Sequence, residues 1–324
     1  MILVAGESLI DLIVDSHGGV HASPGGGPFN AARTIGRLGQ ATLFLGRFSA
    51  DPFGRLLTEK LAQDNVDLAL PELVNAPTAL AVVGISALGV PQYWFHLAET
   101  AGFSLDRSAV ERALNVDAAA LYVGALGLVV EPMATRLEQL IASVPQSVLV
   151  LFDPNCRPQA TPDPQAFRAR VLRILPRTDI VKASTEDLAF LLPGMDVLEA
   201  ARSLLKDGAR TVLVTDGSAN ARAFTVHDHL VVDVPRVEVV DTVGAGDAFG
   251  GAFLAWWLDR ALTRENLTDP VLLRAAVKAA VRVASLTCSR PGAEPPWRHE
   301  LDAYGEWGVT DAAVTPGAGG GSAP

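Results

Sequence analysis

The sequence predicts an α/β fold: a mostly parallel central sheet with helices on both faces, carrying a small antiparallel β lid. Three observations lead there. Short apolar runs recur at wide intervals, stretches of helical periodicity lie between them, and two glycine-punctuated, β-prone regions break that alternation.

The apolar runs occupy residues 2–5, 42–45, 121–123, 148–152, 180–182 and 211–215. Each is short and continuous, as a strand buried on both faces requires. The first of them has no basic segment before it and meets Glu7 and Asp11 soon after, so a buried strand is expected there rather than a signal peptide. Helical periodicity covers residues 30–38, 53–64, 132–143, 165–175 and 197–206. Residues 12–22 and 78–98 are β-prone and have no helix of their own, and together they read as an inserted lid. The competing reading makes them extra edge strands of the main sheet. Within the lid, alternation sends two of Tyr93, Trp94, Phe95 and His96 toward a ligand and two to the other face. An apolar outer face would suit a homodimer formed through the lid. One domain is expected over residues 1–313, followed by a flexible Gly, Ala, Ser and Pro tail at 314–324.

Composition bounds the function. With 324 residues, 49% hydrophobic and 19% charged, the chain can bury a sizeable core, which excludes collagen-like, disordered and disulfide-framework classes. A net charge of −10 opposes attraction to phosphate backbones and anionic lipid, so neither nucleic acid nor a membrane surface is an expected partner. The longest uncharged stretch, 73–98, is broken by Asn75, Pro77, Gly84, Gly89, Pro91 and Gln92, so no membrane span is expected. Cys156 and Cys288 form no CxxC pair, which points to a reducing, cytoplasmic setting.

Two glycine-rich segments carry the chemistry. In DTVGAGDAFGGAF at 241–253, Phe249, Phe253, Trp256 and Trp257 recur at helical spacing, so a helix begins within 244–247. The backbone at Gly244, Ala245 and Gly246 would then present N–H groups to an anion, aided by the helix dipole. Asp247 beside such an anion would take the proton from an attacking hydroxyl; its alternative role is first-turn capping. In GGGPFNAARTIGRLG at 25–39, successive glycines lead into a helix with Asn30 at its opening turn, which suits close approach to a small polar ligand, though a tight strand-to-helix connection explains it as well. Neither segment completes GxGxxG, and no GxxxxGK[ST] or GxSxG is present.

These segments, in this order and at this separation, resemble the two signatures of the ribokinase-like (PfkB-type) carbohydrate kinases. Agreement extends to GESLID at 6–11, DPFG at 51–54 and DPNCR at 153–157, the last resembling the fructokinase and 2-keto-3-deoxygluconate kinase branch. The resemblance implies that Asp247 is the catalytic base, with residues 244–246 as the anion hole. It implies that Asp11, Gly26, Gly27 and Asn30 hold sugar hydroxyls, and that ATP lies near Ser184, Thr215, Gly217, Ser218 and Asn220. Asn220 stands where many relatives carry glycine, which asparagine can partly mimic by entering a left-handed conformation.

The segment associated with magnesium departs from the family's Asn and Glu. Ser184 stands in the first place, and either Asp187 or Glu186 would serve the metal through water; helix capping explains Ser184 and Asp187 equally well. Residues 290–293, with Asp241 and the carbonyl of Val243, resemble the loop that encloses a monovalent cation such as potassium. Arg157 is expected to set specificity, pairing with a keto-acid carboxylate or donating to the hydroxyls of a neutral ketose; a salt bridge to Asp153 is the structural alternative. The expected activity is phosphoryl transfer from Mg-ATP to a primary hydroxyl of a small sugar, fructose first. The alternatives are a 2-keto-3-deoxygluconate kinase, a nucleoside kinase, or a catalytically silent sugar-binding protein.

Overall fold

The computed structural model describes residues 1–15, 18–85, 91–302 and 307. The tail expected at 314–324 lies outside the described residues, as do 16–17 and 86–90 of the lid segments.

Nine strands form the central sheet. In spatial order they are His229–Asp233, Asn220–Phe224, Thr211–Asp216, Ile180–Ser184, Leu149–Asp153, Ala120–Gly124, Ile2–Ala5, Thr42–Leu45 and Val66–Asp67. From Thr211–Asp216 onward every pairing is parallel, and the two strands at the other edge are antiparallel. All six strands read from apolar runs are present. Their alternating residues feed two separate cores, Ile2 and Val4 on one face and Leu3 and Ala5 on the other. The first core packs against the helices Gly27–Arg37, Ala245–Asp259 and Pro270–Cys288, and the second against Met133–Ser143, Pro164–Ile174 and Val197–Lys206. The result is three layers, with each fully buried Leu, Ile or Phe side chain contributing about 1.5–3 kcal/mol. No helix among the described residues is long and apolar enough to cross a membrane.

The lid segments form a sheet of their own, in the order Val20–Gly25, Leu9–Val14, Leu80–Ile85, Pro91–His96, which settles the edge-strand alternative. Its outer pairings are antiparallel, and its central pairing, Leu9–Val14 with Leu80–Ile85, is parallel because the two hairpins enter from the same side. The sheet starts at Leu9, three residues before the expected limit, so Asp11 is carried on it. Tyr93 stacks on Phe95 at 6.2 Å between ring centroids, while Trp94 faces the other way over Gly84. Tyr93 and Trp94 each remain 49% exposed.

One buried ionic network fixes the Gly27–Arg37 helix. Asp64 accepts from Arg33 Nε at 2.6 Å and Arg37 Nε at 2.7 Å, and the same arginines donate to the two oxygens of Glu294. Arg33 also reaches the Ala293 carbonyl, and Arg37 the Pro295 carbonyl, each at 2.6 Å. The helix therefore cannot shift without breaking bonds to the loop at 293–295. Removing one partner of such a buried pair strands the others. Asp64→Asn is expected to cost about 3–5 kcal/mol, measured as a fall in denaturant midpoint, and a loss below about 1 kcal/mol would show that the network is not needed.

Candidate active site

Six helices begin with a side-chain cap from Asp51, Asp106, Asp163, Ser184, Asp196 or Asp269. The two that carry the glycine-rich segments do not: Gly26 precedes Gly27–Arg37 and Gly244 precedes Ala245–Asp259, neither with a side-chain hydrogen bond. Their starts converge. Gly244 has φ 76°, and a Cβ there would lie 2.4 Å from the Ala293 methyl, so the left-handed turn and the close packing both require glycine. The Ala245 N–H is directed at the Thr242 carbonyl at 3.3 Å, whereas the first-turn amides of Gly246 and Asp247 have no helical carbonyl behind them.

Asp247 sits in that first turn, buried. Its Oδ2 accepts from Asn30 Nδ2 at 3.0 Å and its Oδ1 from Asn155 Nδ2 at 3.1 Å. It therefore does not cap its helix; its carboxylate joins three segments far apart in sequence. The Oδ1 of Asn30 is buried and has no hydrogen-bond partner, an unmet acceptor beside the Asp247 carboxylate. Gly27 is close by, since a Cβ there would lie 2.9 Å from Asn155 Nδ2 and 3.3 Å from Asp247 Oδ1. Burial pushes the Asp247 carboxyl up to about 6, and the charge of Asp153 adds to the rise; Lys182, the Asn30 hydrogen bond and Arg157 oppose it.

A cleft of about 850 Å³ opens beside this point. Ala245 and Gly246 line it, with Arg157, Ser184, Glu186 and Asp187. Thr215, Gly217, Ser218 and Asn220 line it as well, from the turn that joins the last parallel strand to the antiparallel edge. Asn220 does not use the left-handed conformation open to asparagine. It begins the strand Asn220–Phe224 in extended backbone, and its Oδ1 accepts from Arg222 Nε at 2.8 Å. The Asp187 carboxylate accepts from the Cys156 N–H at 2.6 Å and the Ser184 N–H at 2.8 Å, while Ser184 Oγ accepts in return from the Asp187 N–H. That is a capping box. Glu186 is the neighbouring carboxylate left exposed on the cleft.

Arg157 makes no salt bridge to Asp153. It is exposed and donates to the carbonyls of Asn155 and Cys156, while Asp153 pairs with Lys182 at 2.9 Å and accepts from the Tyr122 hydroxyl at 3.0 Å. Asp11, on the second sheet, has its carboxyl pushed up to about 6 by burial, with Arg157 lowering it and Asp241 raising it. Asp241 accepts from the Val243 N–H at 3.0 Å and the Gly292 N–H at 2.9 Å, which joins the two loops of the expected cation site.

Three functional candidates went unassigned in the sequence: Asn155, Lys182 and Glu7. Asn155 lies inside the DPNCR motif and holds φ at 37°, a left-handed value that asparagine tolerates. Lys182 ends an apolar run, where a buried charge is not expected. Glu7 is buried behind Gly27, and its Oε2 accepts from the Gly127 N–H at 2.8 Å.

Comparisons with known proteins bear on the whole chain. Residues 1–300 match the pattern of a family described as "pfkB family carbohydrate kinase". The chain is 32% identical over 306 residues to Fructokinase-2 of Zea mays, covering 91% of this chain and 90% of that protein. Among solved structures it resembles a fructokinase with bound ATP from Xylella fastidiosa, with a TM-score of 0.86, 26% identity and coverage of 93% and 97% of the two chains. It also resembles a fructokinase from Vibrio cholerae O395 in a form with fructose, ADP and calcium ion bound, with a TM-score of 0.82, 27% identity and coverage of 94% and 98%.

Burial pushes the Glu7 carboxyl up to about 7 against the pull of backbone N–H groups that include Gly127, and the charge of Asp247 adds to the rise. The folded chain therefore holds a proton there that the unfolded chain releases at lower pH. This contribution to stability is fully present below about 4.5 and is lost as pH rises through about 7. Between pH 4.5 and 8, Glu7→Gln is expected to gain up to about 3 kcal/mol relative to the parent chain, read from thermal melts. A difference that does not change with pH would refute this.

Proposed function

The chain belongs to the pfkB family of carbohydrate kinases, and on that footing we propose that it transfers the γ-phosphoryl group of Mg-ATP to a primary hydroxyl of fructose. One observation carries this reading: a buried carboxylate at the head of a helix with no side-chain cap, flanked by two amide side chains, one of which holds an unmet buried acceptor. An attacking alcohol needs those features. Its proton goes to Asp247, a neighbouring hydroxyl of the sugar donates to Asn30 Oδ1, and the amides at 244–246 face the charge that builds on the phosphoryl group. Asp11, Gly26 and Gly27 take the remaining hydroxyls, so that a sugar lacking one leaves a buried group unpaired.

The nucleotide occupies the cleft lined by Ser184, Thr215, Gly217, Ser218 and Asn220. The residues fit magnesium only as a metal that arrives with phosphate. Among the described residues no three His, Cys, Asp or Glu side chains converge on a metal site, and both Asp187 oxygens are occupied by N–H groups. Glu186 is the carboxylate free to meet its hydration shell. When bound, magnesium supplies neutralisation of the phosphate oxygens. A monovalent cation, potassium first, is assigned to Asp241 and the Val243 carbonyl. Replacing potassium by choline should then lower turnover, and Asp241→Asn should abolish the difference; no cation dependence in the parent chain would remove this assignment.

A sugar panel at fixed Mg-ATP tests the substrate. It includes 2-keto-3-deoxygluconate because Arg157, exposed on the cleft and near enough to Asp11 and Asp247 to lower both, is the group a substrate carboxylate would meet. Fructose is expected to show the highest kcat/KM, and a preference for the keto-acid would replace it. Asp247→Asn should lower turnover by about 10²–10⁴ with ATP binding retained. The acid limb of the parent profile should fall near pH 6, since activity requires the ionised carboxylate. Near-normal turnover in the variant would overturn the role of Asp247.

A further inference from the structure

We propose that Lys182 is a further catalytic residue, whose ammonium contacts the transferring phosphoryl group at the head of the Ala245–Asp259 helix. This rests on the kinase reading above and deepens it. The placement comes first. Lys182 ends inside the cleft, and a Cβ on Gly246 would lie only 2.8 Å from its Nζ, so the ammonium abuts the first turn where the phosphoryl group must pass. Its side chain is 4% exposed. Among the described residues its one hydrogen bond is to Asp153 Oδ2, at 2.9 Å, leaving two N–H donors to face a ligand.

Asp153 is built to hold that ammonium in place. The same Oδ2 accepts from the Tyr122 hydroxyl at 3.0 Å, and Oδ1 accepts from the Asn155 N–H at 3.2 Å. Charge supplies the second argument. Asp153, Asp187 and Asp247 all act on Lys182, and together they outweigh the burial that would otherwise strip its proton. Of those three carboxylates Asp187 lines the cleft that a polyphosphate would enter, Asp153 and Asp247 are buried beside it, and Lys182 is the buried cation in their midst. The other cations on the cleft, Arg157 and Arg236, are both exposed, and Arg157 is bonded to its own loop.

In the transfer itself the sugar oxygen forms a bond to the γ-phosphorus, and the bond from that phosphorus to the β,γ-bridging oxygen breaks. ADP leaves with the electron pair, and the hydroxyl proton passes to Asp247. Lys182 keeps its protons throughout and offsets charge on the non-bridging oxygens.

A bare structural ion pair makes a different prediction, because a buried Lys–Asp pair can be replaced by neutral groups at little cost when both partners go together. Two variants separate the cases: Lys182→Met alone, and Lys182→Met combined with Asp153→Asn, which leaves no stranded carboxylate. The double variant is expected to melt near the parent temperature, keep its fructose KM within about threefold and lose about 10²-fold or more in kcat. Recovery of kcat to within about threefold of the parent would overturn the proposal. A second arm needs no sugar. Calorimetry with ADP, with and without beryllium fluoride as a γ-phosphoryl mimic, should show the gain from fluoride in the parent and its loss in both variants, with ADP affinity unchanged. An undiminished fluoride gain in the variants would also overturn it. If the parent chain phosphorylates no sugar yet this second arm holds, the substrate reading fails while the assignment of Lys182 stands.

Discussion

The Asp247 carboxylate is the point on which the molecule converges. One oxygen is held by Asn30 from the helix at the start of the chain, the other by Asn155 from the loop after a central strand, and the carboxylate itself belongs to the helix near the end. These segments are 217 and 92 residues away in sequence. Parallel β-α units bring them together because successive strands deliver their following loops to the same edge of the sheet, where helix starts also gather. Six helices here cap their first N–H groups with a side chain, and the two at the site have no such cap.

Burial sets the electrostatic character of the same point. Glu7, Asp11 and Asp247 are all pushed upward from the ordinary carboxylate range, each first by loss of water. A carboxyl that titrates near 6 is ionised at neutral pH yet still holds a proton better than an exposed aspartate would. Lys182 and Arg157 moderate that rise, and without them Asp247 would stay protonated further into the neutral range. The acids and the cations of the cleft therefore form one balanced system.

Much of this was legible in the sequence, for identifiable reasons. The six apolar runs could be read because a strand buried on both faces has no polar residue to disguise it. The edge strands Asn220–Phe224 and His229–Asp233 were harder, since their alternating burial resembles a loop with scattered apolar residues. Asp247, Asn30 and the glycine turns stood out through local pattern. Asn155, Lys182 and Glu7 did not, because nothing near them in sequence reveals a partner such as Asp153, 29 residues from Lys182, or Gly127, 120 residues from Glu7. Asp187 shows the reverse: its spacing fitted a metal ligand, and the structure uses its carboxylate to bind backbone.

The second sheet joins the body through short segments next to Gly6, Gly26 and Pro77, and Asp11 rides on it while Asp247 is fixed below. A sugar that touched both acids would therefore span two sheets that, among the described residues, share no strand pairing. A molecule too short to touch both, water included, would meet one acid alone, and discrimination against it would come from the placing of the second sheet as much as from contact.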